Sequence, residues 1–213
     1  MIIESLNIGL PKKETFHGRE IITGICKAPV PGPLNLTSVG FEGDGVGNLN
    51  YHGGMDKAVC VYSRDHYPYW EELLKIKLPE AAFGENLTVS GLHEDEVCIG
   101  DIYQAGIALL QVSQPRQPCG TLSLRYRRDD MIKLVRDSGL TGFYFRVLRT
   151  GSVKRGDKLQ LKKKDNNLVT VTYANSSYHH RHTDCNGIEC VLAVDALSAS
   201  WRKSFLEMRQ ACR

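Results

Sequence analysis

The sequence predicts a mainly β protein with a short helical unit at its C-terminal end. Residues 1–165 alternate short β-branched runs, such as IITGIC, AVCVY and GFYFRVLRTGSV, with clusters of Gly, Pro, Asn and Asp. Closely spaced strands joined by turn residues are typical of a barrel or a sandwich. A basic run, Lys162-Lys163-Lys164, precedes a linker-like DNN segment and a change of composition. We therefore expect a main domain over 1–165 and a small one over 166–213.

Turn residues divide the β-rich region. Gly100-Asp101 and Gly156-Asp157 each stand just before a strand of alternating polarity, which indicates a tight turn at each place. The longest irregular stretches are 29–54 and 114–121. Long loops in a compact domain are usually functional, so these stretches are where we expect the chemistry.

Two helices are predicted within the β-rich region. The first starts at a potential N-cap, Ser63, tolerates Pro68 only in its first turn, and carries apolar residues at helical spacing: Tyr67, Trp70, Leu73 and Leu74. The second starts at Asp129 or Asp130 and ends at Gly139.

The C-terminal segment contains one clear helix and one ambiguous run. Ser198 or Ser200 can cap a helix with an amphipathic pattern, formed by Trp201, Phe205, Leu206 and Met208. The run VTVTY over 169–173 has strand propensity, but residues 175–182 do not continue its alternation. Its conformation stays open on the residues alone.

Composition argues against several classes of protein. A net charge of +3 is too small to predict nucleic-acid binding. Glu4 and Pro11 interrupt the segment where a secretory signal needs an apolar core, and no run reaches the length of a membrane span. The seven cysteines lack CxxC spacing and are expected to be reduced thiols. We expect a cytoplasmic protein that binds neither nucleic acid nor membrane.

The segment VSQPRQPCGTL contains the most reactive-looking thiol, Cys119. Pro118 favours extended geometry before it, and Gly120 allows another group to approach the sulfur closely. Arg116 is near enough in sequence to stabilise a thiolate, the form that attacks electrophiles or binds a metal. On these residues alone, a loop thiol without a role is the more common outcome.

The segment GDGVGNLNYHGGMDKAVCVY has five glycines around Asp44 and Lys57. Such a loop can turn main-chain N–H groups toward an anion, and His52, Lys57 or the nearby Lys27 could add charge. It matches neither the Walker nor the Rossmann template, and a mobile loop is about as good an interpretation.

Two further polar clusters have modest interpretations. Asn86 in FGENL is expected to bond its own backbone in a turn. Another cluster contains residue types that bind zinc, at spacings that fit tetrahedral sites poorly: His179, His180, His182, Cys185 and Cys190.

Four segments together resemble MOSC-domain proteins of the YiiM type: EGDGVGNLNYHGGMDKAVCVYSRDHYPYW, FGENLTVSGL, VCIGDIYQAGIALLQVSQPRQPC and LSASWRKSF. They occur in the same order and span nearly the whole chain. The resemblance implies a MOSC β-barrel with a few helices that holds a molybdenum cofactor (molybdopterin), followed by a small all-α three-helix domain. It also favours a helix over 170–173.

The resemblance assigns roles residue by residue. Cys119 is implied to be the catalytic cysteine that coordinates molybdenum, and Lys27 to lie near the cofactor phosphate. The HGGxDKA signature is implied to line the cofactor pocket through His52, Gly53, Gly54, Asp56 and Lys57. Asn86 and Arg116 complete the implied cofactor site. Gly120-Thr121 departs from the family, which often has a bulkier and a basic residue there, so substrate contacts stay open.

The implied activity is reduction of N-hydroxylated compounds, such as 6-hydroxylaminopurine, in detoxification. The sequence has no flavin or nicotinamide fingerprint, so we expect electrons from a separate flavoprotein reductase. No role for pyridoxal phosphate is expected, and a homodimer stays open. Two other functions also stay open: a cofactor carrier or sulfur-relay module with a persulfide on Cys119, and a module that binds only small anions.

Overall fold

A computed structural model describes residues 1–48, 52–181 and 183–212. These ranges contain thirteen β-strands: β1 (Ile2–Ile8), β2 (Lys12–Phe16), β3 (Arg19–Thr23), β4 (Ala28–Pro29), β5 (Leu34–Thr37), β6 (Gly40–Phe41), β7 (Val59–Ser63), β8 (Leu87–Ser90), β9 (Ile102–Ala105), β10 (Ala108–Pro115), β11 (Phe143–Arg149), β12 (Gly151–Val153) and β13 (Leu159–Lys163). They also contain six α-helices: α1 (Tyr67–Leu74), α2 (Gly120–Tyr126), α3 (Met131–Ser138), α4 (Val171–His179), α5 (Cys185–Leu192) and α6 (Ala199–Ala211). The predicted fold class, mainly β with a helical C-terminal part, is confirmed.

Eight strands form one mixed sheet in the order β13-β9-β10-β11-β7-β8-β1-β4. The neighbours β7 and β8 are parallel, and the other neighbouring pairs are antiparallel. The sheet curls back on itself, because Ile3 donates its backbone N–H to the carbonyl of Asp157 at 3.0 Å and Leu159 donates to Met1 at 3.2 Å. An isolated bridge between Ile2 and Lys158 marks the same seam. The predicted barrel is therefore a curled sheet with a short seam.

Capping explains where the predicted helices begin and end. Ser63 caps a single 3-10 turn that leads into α1, with Pro68 in the first turn of the helix. The α3 helix ends at Gly139, whose φ is 75°. Ser198 caps α6, and Thr170 caps α4 through the N–H of the residue three positions later. The helix favoured over 170–173 is thus confirmed, because burial of one helical face outweighs the strand propensity of VTVTY.

The two stretches predicted as irregular are partly regular. Stretch 29–54 contains β5 and β6, and β5 pairs with β12. Stretch 114–121 contains the end of β10 and the start of α2, a helix that was not predicted. Leu122 is the buried residue of α2, so its sequence GTLSLRY has little helical periodicity. The turns at Gly100 and Gly156 are confirmed by their φ values of 96° and 85°.

Three clusters of buried apolar side chains hold the elements together. The first fills the inside of the curled sheet, and the second lies beneath α1, α2 and α3. The third joins the three C-terminal helices and includes Ile99, which precedes β9. Val171 of α4 belongs in turn to the first cluster, so the C-terminal helices share packing with the sheet. In the described ranges, no helix is long and apolar enough to cross a membrane.

Candidate functional site

A cavity of about 800 Å³ lies where the segments 21–27, 37–48, 52–60 and 83–86 meet the start of α2. Eight of the nine residues assigned by resemblance line it: Lys27, His52, Gly53, Gly54, Lys57, Asn86, Arg116 and Cys119. They come from distant parts of the sequence, so the fold assembles the set. Its basic members are Lys27, Lys57 and Arg116, and the acidic lining residue among those described is Asp44.

Cys119 lies just beyond the end of β10 and immediately before α2, with extended backbone geometry. Burial by itself would raise the pKa of its thiol. Hydrogen bonds from His52 and Thr121 and the charge of Arg116 outweigh burial and lower the pKa to about 6. The sulfur is therefore mostly thiolate at neutral pH, which is the form that binds metals.

Cys60 lines the same cavity but has the opposite character. Burial raises the pKa of its thiol to about 11, although the neighbouring Arg116 guanidinium partly offsets this. The thiol of Cys60 thus stays protonated at neutral pH. Of the two cysteines in this lining, Cys119 is the one prepared to act as a ligand or nucleophile.

Arg116 is buried and only partly satisfied. Its Nη2 donates to the carbonyl of Phe83 at 2.7 Å. Its Nη1 has no hydrogen-bond partner among the described residues. A buried guanidinium N–H without a partner is costly, and an anionic ligand in the cavity could accept from it.

Lys27 and Asn86 are held by a residue to which no role was assigned, Asp44. The ammonium of Lys27 forms a buried ion pair with the Asp44 carboxylate. Asp44 also accepts the backbone N–H of Gly9 at 2.9 Å and the side-chain amide of Asn86 at 2.7 Å. The acidic residue between glycines in GDGVG was the available signal. Its partners lie too far away in sequence to be paired by spacing.

Asn86 does not bond its own backbone, contrary to the simple turn interpretation. Its Oδ1 accepts the backbone N–H of Cys60 at 3.0 Å, so it ties the FGENL turn to β7. The preceding Glu85 is fully buried and accepts from the Tyr67 hydroxyl at 2.5 Å and from the Phe83 N–H at 2.9 Å. This turn is a fixed wall of the cavity.

The glycines of the 43–48 loop serve close packing. A Cβ on Gly24 would lie 2.6 Å from the carbonyl oxygen of Gly45, and one on Gly47 would lie 3.2 Å from the Cα of Thr23. The loop therefore rests against the end of β3. In contrast, a Cβ on Gly54 would meet nothing within 4 Å, although its φ of 98° favours glycine. Residues 49–51 lie outside the described ranges.

Asp56 is the ninth assigned residue, and it does not line the cavity. Its carboxylate pairs with Arg146 of β11 at 2.8 Å and accepts the N–H of Ala199 at the start of α6 at 2.9 Å. Its carbonyl accepts from Ser113. The side chain of Asp56 fastens the HGGMDK segment to the sheet and to the C-terminal helices, and its cofactor-binding role stays a prediction.

In the His/Cys cluster, the described side chains contact different partners. His180 lies 3.6 Å from Asp137, the Cys190 thiol contacts Tyr173, and the Cys185 thiol lies near Cys212. No group of three or more metal-binding side chains occurs in the described part of the chain. His182 lies outside it. The zinc interpretation therefore has no support from these residues.

Comparison with protein families decides the family. A MOSC domain model matches residues 48–160, and a model described as a YiiM-like, 3-alpha helix domain matches residues 169–211. This chain belongs to the MOSC family and is of the YiiM type. The resemblance drawn from the four segments is confirmed.

Individual relatives of this MOSC protein support the same family assignment. It is 47% identical over 205 residues to protein YflK of Bacillus subtilis (strain 168), covering 96% of this chain and 93% of that protein. The crystal structure of YiiM from Geobacillus stearothermophilus superposes with a TM-score of 0.84 and 38% identity, covering 98% of both chains. A protein named Reductase from Gibberella moniliformis (strain M3125 / FGSC 7600) is 38% identical over 164 residues. That match covers 75% of this chain and 29% of the longer protein.

Proposed function

We propose that this MOSC protein is a molybdenum cofactor-dependent reductase of N-hydroxylated compounds, of which 6-hydroxylaminopurine is the example. The observation that carries the proposal is the Cys119 sulfur, which faces the cavity and is held as a thiolate by His52 and Thr121. The similarity to a protein named Reductase supports the oxidoreductase class.

The lining fits an anionic cofactor that presents a metal. Cys119 would supply the protein ligand to molybdenum, because a soft thiolate suits such a metal. Arg116 would donate its unpartnered Nη1 to an anionic oxygen. Lys27 and Lys57 would add positive charge near the phosphate, although burial lowers the pKa of the Lys57 ammonium below that of an ordinary lysine. Asp44 keeps the Lys27 ammonium in place, so this charge is positioned before a ligand arrives.

When bound, the cofactor supplies a centre that exchanges two electrons and accepts an oxygen atom. The residues of this chain would hold the sulfur ionised and neutralise anionic groups. Reduction of an N–OH group consumes two electrons and two protons and releases water. We propose that the electrons come from a separate flavoprotein reductase.

Cys119→Ser tests the proposal. We expect the variant to keep the circular dichroism spectrum of the parent protein but to lose reduction of 6-hydroxylaminopurine by about 100-fold or more, with a flavoprotein donor present. Molybdenum content, measured by mass spectrometry of the purified protein, should fall in parallel. Cys190→Ser is the matched control, because its exposed thiol lies on α5 outside the cavity.

Two results would contradict this function. Full turnover and full molybdenum content in Cys119→Ser would remove Cys119 from the site. A parent protein loaded with cofactor that carries a persulfide on Cys119 and reduces no N-hydroxylated compound would favour the carrier or sulfur-relay alternative.

A further inference from the structure

Two cysteines meet where α5 begins and α6 ends. Cys185 is the first residue of α5, and Cys212 directly follows α6. The Sγ atom of Cys185 lies 3.8 Å from the carbonyl oxygen of Cys212, and the two thiols hydrogen-bond each other. They are 27 positions apart in the sequence, so folding of the three-helix unit brings them together.

The surroundings give the two thiols different roles. Cys185 is exposed, whereas Cys212 is half-buried. The hydrogen bond with Cys185 raises the pKa of Cys212 to about 11, and the carboxylates of Asp184 and Glu189 act in the same direction. Because Cys185 is the more exposed of the two, it is the thiol that an oxidant in solution meets first, and Cys212 lies beside it.

We propose that Cys185 and Cys212 form a redox modification site, which a peroxide converts into a reversible intramolecular disulfide. This site is separate from the cavity and independent of the proposed reductase activity. Neither thiol of the pair lines the cavity.

The chemistry balances with hydrogen peroxide as the oxidant. The Cys185 thiolate attacks one peroxide oxygen, the O–O bond breaks, and the departing hydroxide takes a proton to become water, which leaves a sulfenic acid. The Cys212 sulfur then attacks the Cys185 sulfur, the S–O bond breaks, and the second hydroxide takes the Cys212 proton. Two thiols lose two electrons in total, and one peroxide becomes two waters. A dithiol returns two electrons and two protons and restores both thiols.

The bond would join the start of α5 to the end of α6 and so close the open end of the α5–α6 hairpin. Because the disulfide restricts the unfolded chain, it should stabilise the C-terminal helices. We expect oxidation to raise the thermal midpoint of unfolding by about 5 °C and dithiothreitol to reverse the rise.

Peptide mapping of the full chain tests the proposal. The Cys190→Ser background is used because trypsin leaves residues 182–202 in one peptide, which otherwise contains two cysteines, and 210–213 in another. After brief peroxide treatment and alkylation of free thiols, the two peptides should be found linked, lighter by two hydrogen atoms than their sum. A non-reducing gel should show the protein as a monomer. Adding Cys185→Ser or Cys212→Ser should abolish both the link and the rise in midpoint.

Three outcomes would overturn the proposal. One is a Cys185 that advances to sulfinic acid while Cys212 remains open to alkylation. Another is a link that joins two chains on the gel. The third is a link between peptides 182–202 and 210–213 that persists after Cys185→Ser in the parent background, because Cys190 would then be the partner of Cys212.

Discussion

The acidity of a buried thiol depends on its donors as much as on its burial. Cys60 and Cys119 line one cavity and share the neighbour Arg116, yet their pKa values fall near 11 and 6. At Cys60 burial has the largest effect on the pKa and raises it. At Cys119 the hydrogen bonds from His52 and Thr121 stabilise the charged form and outweigh burial. At pH 7 a thiol with a pKa of about 6 is roughly nine-tenths thiolate, whereas an ordinary cysteine is a few per cent ionised.

The pH dependence of alkylation should reveal this thiolate. We expect iodoacetamide to modify Cys119 of the cofactor-free protein with a rate that rises through pH 6 and is nearly level by pH 7.5, because the thiolate is the reactive form. Thr121→Val removes one donor to the thiolate, so the pKa rises, the profile moves to higher pH and the rate at pH 7 falls about twofold. The measurement is mass spectrometry of the tryptic peptide 117–125, in which Cys119 is the one cysteine.

Ser123→Ala is the control for that profile. Ser123 lies on the same helix, and its hydroxyl has no hydrogen-bond partner among the described residues. Its removal should leave the profile unchanged. An equal shift in both variants would mean that α2 moves as a whole, and the Thr121 hydrogen bond would not be the cause.

At the scale of elements, glycine fixes how closely β11 approaches β7. Gly142 precedes β11 with a φ of 70°, and a Cβ there would lie 2.4 Å from the carbonyl oxygen of Val61. Gly139, three residues earlier, has a similar φ of 75°, but a Cβ there would meet nothing within 4 Å. The two glycines share the backbone conformation and differ in the space around them.

Replacing each of these two glycines by alanine distinguishes the energetic cost of backbone strain from that of a steric clash. Gly139→Ala should lower the free energy of unfolding by about 1 kcal/mol, which is the cost of a left-handed alanine. Gly142→Ala should lower it by about 3 kcal/mol or more, because strands must also move apart. Urea unfolding followed by circular dichroism measures both. Equal losses would show that the sheet yields at Gly142 without cost.

Local signals explain why much of the fold was predictable. Ser63, Ser198 and Gly139 cap helices through residues close in sequence, and Gly100 and Gly156 make turns through their own backbone. The α2 helix was missed because a short helix with little buried apolar surface leaves almost no periodic pattern.

The missed parts of the site are those that depend on distant contacts. Asp44 meets Lys27 and Asn86 only after folding, so no spacing in the sequence reveals the ion pair. Asp56 shares a signature with cavity residues, yet successive residues point in different directions and its side chain turns away. The resemblance gave the identities of the cavity residues. Only the structure showed which of these residues line the cavity and which support it from outside.

At the scale of the molecule, the C-terminal helices are joined to the sheet at several points. Ile99 donates its backbone N–H to Val169 at 2.9 Å, and Ser198 donates to Ser113 at 3.0 Å. Asp56 adds a contact between the cavity wall and these helices. It belongs to the HGGMDK segment, and its carboxylate accepts the N–H of the first residue of α6. The cavity wall and the C-terminal helices therefore depend on a common carboxylate.

Asp56→Ala tests this connection. The change removes a partly exposed ion pair with Arg146 and an exposed hydrogen bond from Ala199, so the free energy of unfolding should fall by about 1 kcal/mol. Urea unfolding gives this value, and hydrogen exchange should quicken at the start of α6 and over 52–57. Asp95→Ala, at an exposed turn, is the control. If both variants were equally stable and exchanged alike, Asp56 would not join the two parts of the molecule.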